Sequence, residues 1–427
     1  MSITAILFVA LYFTGLILTL RNPYFGIATY IFEWHNHPPY MWWGKPLPDL
    51  RWSFLVSVVM VISLIINYRK LKPLKKADYS VIWWMVGLTA WAYFITAYYA
   101  AEPVASLWRA GMFLKYTIQC FLMMFLIRTV AEHRTIIWVL LLNVANFGRI
   151  AFQRGSNRDL GIVAPNAGEE NALSAHVAGM MPLFGFYAMF GKKWERIASF
   201  LIIPFLVNLV ILANSRAGSL AVIMTGVLAL IFVKRGFRKR VALGLVGGLC
   251  LFLYLGHTSF WDRQKATMDY ETVETTDARI YLWQGALKMA EDHPMGVGGR
   301  GFEQLFDNYV QGIDTERAKD VHNTFLLALV EWGYFGLFLF CGFLLHGFWV
   351  FYKIIRDSRE TPSYRYYIDS MALGLGLAGI LIAGIFHTRL YAESIWWIVA
   401  IGVALRNIQV DEMETQRVAE KRGWVKI

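Results

Sequence analysis

Long apolar runs alternate with short polar connections along most of the 427-residue chain. A run of about 20 predominantly apolar residues is long enough to cross the hydrocarbon core of a bilayer as an α-helix. The pattern predicts twelve such spans, so we expect an all-α, polytopic integral membrane protein. The predicted spans cover residues 3–20, 52–67, 79–98, 110–128, 134–150, 172–190, 196–213, 216–233, 240–256, 323–352, 366–386 and 389–408.

A further apolar segment, residues 23–34, is short for a span and carries aromatic residues that suit the membrane interface. If this segment crosses the membrane, the span count becomes thirteen and the N-terminus changes side. The first apolar run has no basic leader and no clear cleavage site. We therefore expect it to be retained as the first helix.

Residues 257–322 form the one long polar stretch between predicted spans. Long connections without regular structure are uncommon and are often functional. The stretch separates N-terminal from C-terminal transmembrane helices. It divides the chain into residues 1–256, 257–322 and 323–427.

An amphipathic segment, residues 277–294, lies within this polar stretch. We predict a helix there that lies along the membrane surface, with Thr276 as its cap and Arg279 in its first turn. Its apolar face is predicted from residues that recur at helical spacing, namely Ile280, Trp283, Leu287 and Ala290.

Composition excludes the soluble domains that the length alone would suggest, because 57% of the residues are hydrophobic and 17% are charged. The formal net charge is +11, but the basic residues cluster in short loops that alternate with connections poorer in Lys and Arg. This positive-inside pattern places the basic loops in the cytoplasm. We therefore expect a multi-pass inner-membrane protein with membrane lipids as partners, no nucleic-acid partner, and a periplasmic polar stretch.

Cysteines and histidines predict neither a disulfide nor a metal site. The three cysteines, Cys120, Cys250 and Cys341, all fall inside predicted spans. The histidines of the predicted outer face have no ligand spacing with carboxylates. We expect no metal and no cofactor.

Arg216 is the first candidate for chemistry, because it lies in the sequence NSRAGS at the predicted outer end of a helix. A helix N-terminus exposes free N–H groups and the positive end of the helix dipole, which suits an anion such as phosphate. Ser215 and Ser219 would add hydroxyl donors. The alternative is an arginine that snorkels and anchors a helix end. For Arg279, the alternative is a surface ion pair with an acidic neighbour.

The glycine cluster GVGGRG, residues 296–301, matches G-x-G-x-x-G letter for letter. A dinucleotide site needs a preceding strand and a βαβ unit, and neither is predicted here. We interpret the glycines as a tight turn that lets the backbone approach another segment or a ligand. A backbone nest that holds phosphate is the alternative.

His322 precedes Asn323, a good capping residue, at the predicted outer mouth of the span 323–352. Imidazole titrates near neutral pH and can accept a proton from an attacking hydroxyl. A structural histidine is the alternative, and no Ser–His–Asp order or HExxH motif accompanies it.

Three segments, in this order, resemble the O-antigen ligase and polymerase superfamily of bacterial envelope glycosyltransferases. They are SRAGSLAVIMTGVLAL, ARIYLWQGALKMAEDHPMGVGGRGF and HNTFLLALVEWGYFGL, within roughly residues 205–350. The N-terminal sequence RNPYFGIATYIFEWHNHPP resembles O-glycosylation ligases of the exosortase-associated type.

The resemblance implies a periplasmic glycosyltransferase that needs neither metal nor nucleotide sugar. Its donor would be a glycan on undecaprenyl pyrophosphate, and in the ligase branch its acceptor would be a hydroxyl of lipid A–core. The resemblance implies that Arg216 and Arg279 bind the pyrophosphate and that His322 activates or orients the acceptor. Other arginines of the outer face would widen the positive funnel or only face lipid headgroups. These are Arg149, Arg154, Arg158 and Arg389.

Three other functions stay open. A polymerase would use a second lipid-linked glycan as acceptor, and a protein O-oligosaccharyltransferase would use a side-chain hydroxyl. A transporter of lipid-linked glycans or anions would instead require ionisable residues near the midplane and broken helices in matched positions. Lys115 and Glu331 are the notable charges near spans.

Overall fold

The fold is seen in a computed structural model that describes residues 2–48, 50–155, 160–165, 168–256, 271–310, 320–358 and 365–421. Every regular element within these ranges is helical, which confirms the predicted all-α class. The described ranges contain fifteen α-helices, which are α1 Ile3–Arg21, α2 Tyr24–His35, α3 Trp52–Asn67, α4 Ile82–Tyr98, α5 Pro103–Leu126, α6 Val130–Arg154, α7 Glu170–Phe190, α8 Lys193–Ala213, α9 Arg216–Phe232, α10 Arg235–Leu255, α11 Glu271–Asp292, α12 Gly301–Tyr309, α13 Thr324–Asp357, α14 Arg365–Gly384 and α15 Glu393–Lys421. Short 3-10 turns add Pro38–Tyr40 and Tyr68–Lys70.

Seven helices of the described part are long and apolar enough to cross a membrane: α1, α3 with its 3-10 extension, α6, α7, α8, α13 and α14. This is the pattern of a multi-pass membrane protein. Each of the twelve predicted spans falls on a helix, and the segment 24–35 forms the separate short helix α2. The number of crossings and the side on which each loop lies stay predictions. Below, "outer end" means the end that the basic loops predict to be periplasmic.

Helices α7 and α14 lie at the centre of the bundle. In each, 78% of the most apolar window is buried, against 28% in α1 and α3. Helix α10 lies at the rim, where Val241 is its one buried residue. The exposed side chains of the rim helices are largely apolar, as lipid contact requires.

A buried ion-pair network joins α6, α8 and α14 at the end opposite the predicted outer face. The Arg365 guanidinium lies 3.1 Å from Glu195 Oε1 and 3.2 Å from Asp369 Oδ2. Arg134 reaches the same Glu195 oxygen at 3.0 Å. Tyr187 on α7 donates a hydrogen bond of 2.8 Å to Asp369. The network fixes the relative positions of four helices, because removing one partner would leave buried charge uncompensated.

Helix α13 is broken at Gly333, whereas the apolar pattern predicts one continuous span over residues 323–352. Gly333 has φ 69° and ψ −177°, outside the helical region. A Cβ atom here would collide with the carbonyl groups of Pro294 and Met295, so the position requires glycine. The break frees backbone carbonyls that a continuous helix would have used internally.

The glycine cluster fills this break with its own backbone. The Val297 N–H donates to the Val330 carbonyl at 3.0 Å, and the Gly298 N–H donates to the Glu331 carbonyl at 2.9 Å. The backbone therefore approaches another segment here, which is one of the two contacts that the sequence interpretation allowed. The freed carbonyls are satisfied by protein.

Candidate functional site

His322 lies directly before α13, and its neighbour Asn323 caps that helix as predicted. The Asn323 side chain accepts hydrogen bonds from the N–H groups of Phe325 and Leu326, at 2.9 and 3.1 Å. His322 itself has a left-handed backbone with φ 51°. Its side chain is 26% exposed, so the ring can be reached from outside while being held by neighbours.

Asp320 and His387 are the immediate neighbours of the His322 ring. Asp320 Oδ2 lies 3.5 Å from His322 Nδ1. The ring of His387 stacks on His322 with a centroid separation of 6.1 Å and an interplanar angle of 27°. His387 Nε2 lies 3.6 Å from Glu169 Oε2. The two imidazole rings, His322 and His387, therefore lie next to each other, and each has a carboxyl group beside it.

The connection between α14 and α15, residues 385–392, is fastened to the start of α13. Thr324 donates a hydrogen bond of 3.3 Å to the His387 carbonyl and accepts one of 2.9 Å from the Arg389 N–H. Thr388 donates a hydrogen bond of 2.8 Å to Asp320 Oδ1. These bonds position His387 beside His322, with the charge of Arg389 acting on His387.

Arg389, one of the predicted outer-face arginines, is buried in this connection. Burial lowers the pKa of its guanidinium to about 10, against the opposing influence of Glu169 and Tyr116. Burial, and then the positive charge of Arg389, also lower the pKa of His387. His387 is therefore a neutral imidazole at neutral pH.

Helix α11 starts six residues before the predicted segment, at Glu271 rather than Asp277. Arg279 therefore lies well inside the helix, and the predictions that it sits in the first turn and that Thr276 is the cap were wrong. The intervening sequence ETVETT contains no glycine or proline that would stop a helix.

The predicted apolar face of α11 only partly coincides with the face that packs on the protein. Of its four residues, Ile280 and Leu287 are exposed, Trp283 is partly buried and Ala290 is buried, and contact of this face with the membrane surface stays a prediction. The fully buried positions of the described part of the helix are Leu282, Ala286, Met289 and Ala290. Trp283 donates a hydrogen bond of 3.1 Å to the Val321 carbonyl, which ties α11 to the residue before His322.

Arg216 is the first residue of α9, as predicted, and it lies within electrostatic range of Arg279. Burial first, and then the positive charge of Arg216, lower the pKa of Arg279. Both side chains are partly buried. Two guanidinium groups that repel each other in a partly buried place are stabilised by an anion between them.

Serine hydroxyls lie near these arginines. Ser215 caps α9 by accepting a hydrogen bond of 3.2 Å from the Gly218 N–H. Ser219 and Ser174 are polar groups whose buried hydroxyls find no hydrogen-bond partner within the described ranges. Gly218 permits this close packing, since a Cβ there would collide with Ser174.

A cavity of about 360 Å³ opens beside His322 and is lined by its neighbours Asp320 and His387. It is lined by Arg109, Gly168, Glu169, Ala172, Phe302, Glu303, Asp320, Leu327, Glu331, His387, Thr388, Arg389, Tyr391 and Ala392. The lining mixes four carboxyl groups with two guanidinium groups and an imidazole. Such a lining offers both acceptors and donors to a polyhydroxylated group.

Glu331 forms part of the cavity wall and joins three segments. Its carboxyl group accepts a hydrogen bond of 2.5 Å from the Tyr391 hydroxyl and one of 2.6 Å from the Arg300 N–H. Trp332 donates to the same hydroxyl at 2.9 Å. The Arg109 guanidinium lies over the Tyr391 ring at 4.2 Å. The broken helix, the glycine cluster and the start of α15 are thus joined at one carboxyl group.

Arg149 and Arg154 line a different cavity, of about 720 Å³, between α1, α2 and α6. Arg149 is held by the side-chain oxygens of Asn146 and Gln153. The Arg154 guanidinium lies 4.8 Å from the centroid of the Trp42 ring. That these two arginines contact the substrate stays a prediction, and Arg158 lies outside the described residues.

Metal-ligating side chains do not cluster in the described ranges, where no group of three or more His, Cys, Asp or Glu could hold a metal ion.

A protein-family model described as O-antigen ligase matches residues 198–341, about a third of the chain. This match confirms the resemblance of residues 198–341 to the O-antigen ligase and polymerase superfamily. The matched segment contains Arg216, Arg279 and His322, the three residues that the sequence singled out. No curated protein matches the chain significantly.

Among solved structures, a chain from a study of a peptidoglycan synthase complex matches this protein. The identity is 17%, the TM-score is 0.40, and the match covers 79% of this chain and 98% of that chain.

Sequence reasoning missed several residues that lie around His322 and line the neighbouring cavity. Asp320 stands two residues before His322, and that proximity was the one signal available. Glu169, Arg109 and Tyr391 are far from His322 in sequence, so only the tertiary structure brings them to the cavity.

Proposed function

We propose that the protein transfers a glycan from undecaprenyl pyrophosphate to an acceptor hydroxyl at the outer face of the inner membrane. The observation that carries the proposal is the partly buried pair Arg216 and Arg279, joined through α11 to the segment that bears His322. An anion-binding pair beside an accessible imidazole is what transfer from a pyrophosphate donor requires.

The roles divide between the two sides of the reacting carbon. Arg216 and Arg279 hold the pyrophosphate and neutralise the charge that grows as the bond from the anomeric carbon to the phosphate oxygen breaks. His322 takes the proton of the acceptor hydroxyl as its oxygen forms the new bond to that carbon. Attack opposite the leaving group inverts the anomeric configuration. Pyrophosphate leaves with the electron pair, so neither a metal nor a second carboxyl group is needed.

For the acceptor, the proposal follows the ligase branch and takes lipid A–core. The mixed lining of the 360 Å³ cavity supports a hydroxyl-rich acceptor, because its carboxyl groups accept hydrogen bonds from hydroxyls. A second lipid-linked glycan and a protein hydroxyl present the same chemistry, which makes polymerase and protein O-oligosaccharyltransferase activity outcomes of the test.

A transporter would also require broken helices and buried ionisable groups, and α13 offers both at Gly333 and Glu331. The carbonyls that the break frees are, however, bonded by the N–H groups of Val297 and Gly298. The carboxyl group of Glu331 is likewise engaged by Tyr391 and Arg300. These bonds give the break a structural purpose, so transfer is the function that we propose.

Reconstitution tests the proposal. Purified protein in liposomes is given the lipid-linked glycan donor together with one acceptor in each reaction, in EDTA and without ATP. The acceptors are lipid A–core, a second lipid-linked glycan and an acceptor protein. We expect transfer to lipid A–core, seen as a ladder on a gel. Substitution His322→Ala should abolish it, while His293→Ala, an exposed histidine of the same polar stretch, should not. Folded protein that transfers glycan to none of these acceptors would refute the proposal.

A further inference from the structure

Asp320 lies two residues before His322, and its carboxyl group contacts the His322 ring. We propose that Asp320 is a positioning residue that holds the proton of His322 on Nδ1 and so makes Nε2 the basic nitrogen. This inference rests on the proposed function, and it settles which atom of His322 would accept the proton of the acceptor.

A neutral imidazole carries its proton on one nitrogen and a lone pair on the other. The partner of one nitrogen therefore decides which nitrogen is basic. His322 Nδ1 lies 3.5 Å from Asp320 Oδ2, and a carboxylate oxygen can only accept a hydrogen bond. This contact favours the proton on Nδ1. A contact of this length shortens when substrate closes a site.

The carboxyl group of Asp320 is itself held in place from its other oxygen. Thr388 donates a hydrogen bond of 2.8 Å to Oδ1, which leaves Oδ2 directed to His322. Thr388 belongs to the connection that is fastened to Thr324, the first residue of α13. One fixed connection thus sets the relative positions of Asp320 and His322.

His387 is the other group beside the His322 ring, and its geometry does not compete for Nδ1. The two rings are stacked, with an interplanar angle of 27°. The ring centroids lie 6.1 Å apart, and the partner of His322 Nδ1 within the described ranges is Asp320 Oδ2. Asp320 is therefore the neighbour placed to select the tautomer.

The proton balance follows from this arrangement. The acceptor oxygen bonds to the anomeric carbon, its proton moves to Nε2, and the electron pair of the breaking bond leaves with pyrophosphate. His322 becomes an imidazolium whose Nδ1–H remains directed at Asp320. The Asp320 carboxylate stabilises the positive ring and does not take its proton. The proton on Nε2 then passes to solvent.

The variant Asp320→Asn tests the inference because it keeps the size of the side chain and the hydrogen bond that Thr388 donates to it. An amide oxygen facing Thr388 presents the amide NH2 group to Nδ1, and this donor favours the opposite tautomer. We expect kcat to fall by roughly 100- to 10,000-fold, with the KM values for donor and acceptor changed less than about threefold. Asp292→Asn, in the same polar stretch, is the matched control and should keep wild-type kcat.

A measurement of the tautomer itself needs no activity. The protein is labelled with 15N-histidine, and the His322 signals among the nine histidines are assigned by their loss in His322→Gln. At pH 8.5, about two units above the ordinary histidine pKa, we expect Nδ1 protonated in the wild-type protein and Nε2 protonated in Asp320→Asn.

The outcomes separate the two claims. A wild-type His322 with its proton on Nε2, or an Asp320→Asn protein with unchanged tautomer and unchanged kcat, overturns the role of Asp320. A wild-type protein with the expected tautomer but no glycan transfer supports the positioning by Asp320 and refutes the proposed function instead.

Discussion

The carboxyl group of Glu331 should hold the glycine cluster in the break of α13, and Glu331→Ala removes it. Two donors then lose their acceptor, the Tyr391 hydroxyl and the Arg300 N–H. A buried donor left without a partner costs about 1–3 kcal/mol. Because the Arg300 N–H is only partly buried and can find water, we expect a combined cost of about 2–4 kcal/mol.

Hydrogen exchange measures this cost locally. The N–H groups of Val297 and Gly298 exchange only when the glycine cluster leaves α13, since both donate to its carbonyls. Each 1.4 kcal/mol changes the equilibrium constant for this local opening about tenfold. Glu331→Ala should therefore speed the exchange of both N–H groups by about 30- to 700-fold in detergent micelles or nanodiscs.

Glu303→Ala is the matched control. Glu303 also contacts Arg300, through the guanidinium at 2.6 Å, but its side chain is 36% exposed. Exposed pairs contribute about 0–1 kcal/mol, so we expect at most about fivefold faster exchange. Equal effects of the two variants, or a Glu331→Ala effect spread evenly over all helices, would contradict the local role of Glu331.

Three further predictions concern stability. Gly333→Ala should destabilise the protein by about 2–5 kcal/mol, from the left-handed backbone and from overpacking; Gly374→Ala, where a Cβ meets only ordinary contacts, should change the thermal midpoint little. Arg365→Ala should cost about 3–5 kcal/mol in chemical unfolding because it removes the arginine paired with the buried Asp369 and one of the two paired with Glu195, whereas Arg417→Ala, in an exposed pair, should cost less than about 1 kcal/mol; equal midpoints would refute the network's role. Because burial lowers the pKa of His387, the unfolded chain binds a proton there that the fold does not, and stability should fall as the pH drops below about 6.5. His387→Asn should reduce that slope, and an unchanged slope would contradict the lowered pKa.

The helices of the bundle follow closely from the apolar pattern, but the break in α13 does not. The sequence EWGYFG contains the necessary glycine, yet a glycine inside an apolar run is also compatible with a continuous helix. The break becomes stable only because residues 297–298 supply N–H groups to the freed carbonyls. That pairing joins segments about thirty residues apart and is a property of the tertiary structure.

The site shows the same division between local and tertiary information. Arg216 and the cap formed by Asn323 were predictable, because both depend on the start of a helix. The start of α11 was not, because Thr276 resembles a cap while the preceding residues continue the helix. The contact of Asp320 with His322 is accompanied by a left-handed backbone at His322, which the sequence does not reveal.

The central claim is that Arg216 and Arg279 bind the donor while His322 performs the chemistry. The most direct test measures both the Kd for lipid-linked glycan and the single-turnover transfer rate in the variants Arg216→Ala, Arg279→Ala and His322→Ala. We predict that each arginine variant raises Kd at least about tenfold, the equivalent of one lost charge-assisted contact of about 1.4 kcal/mol. His322→Ala should keep Kd within about threefold and lose transfer. Wild-type Kd in both arginine variants, or wild-type transfer in His322→Ala, would contradict the account.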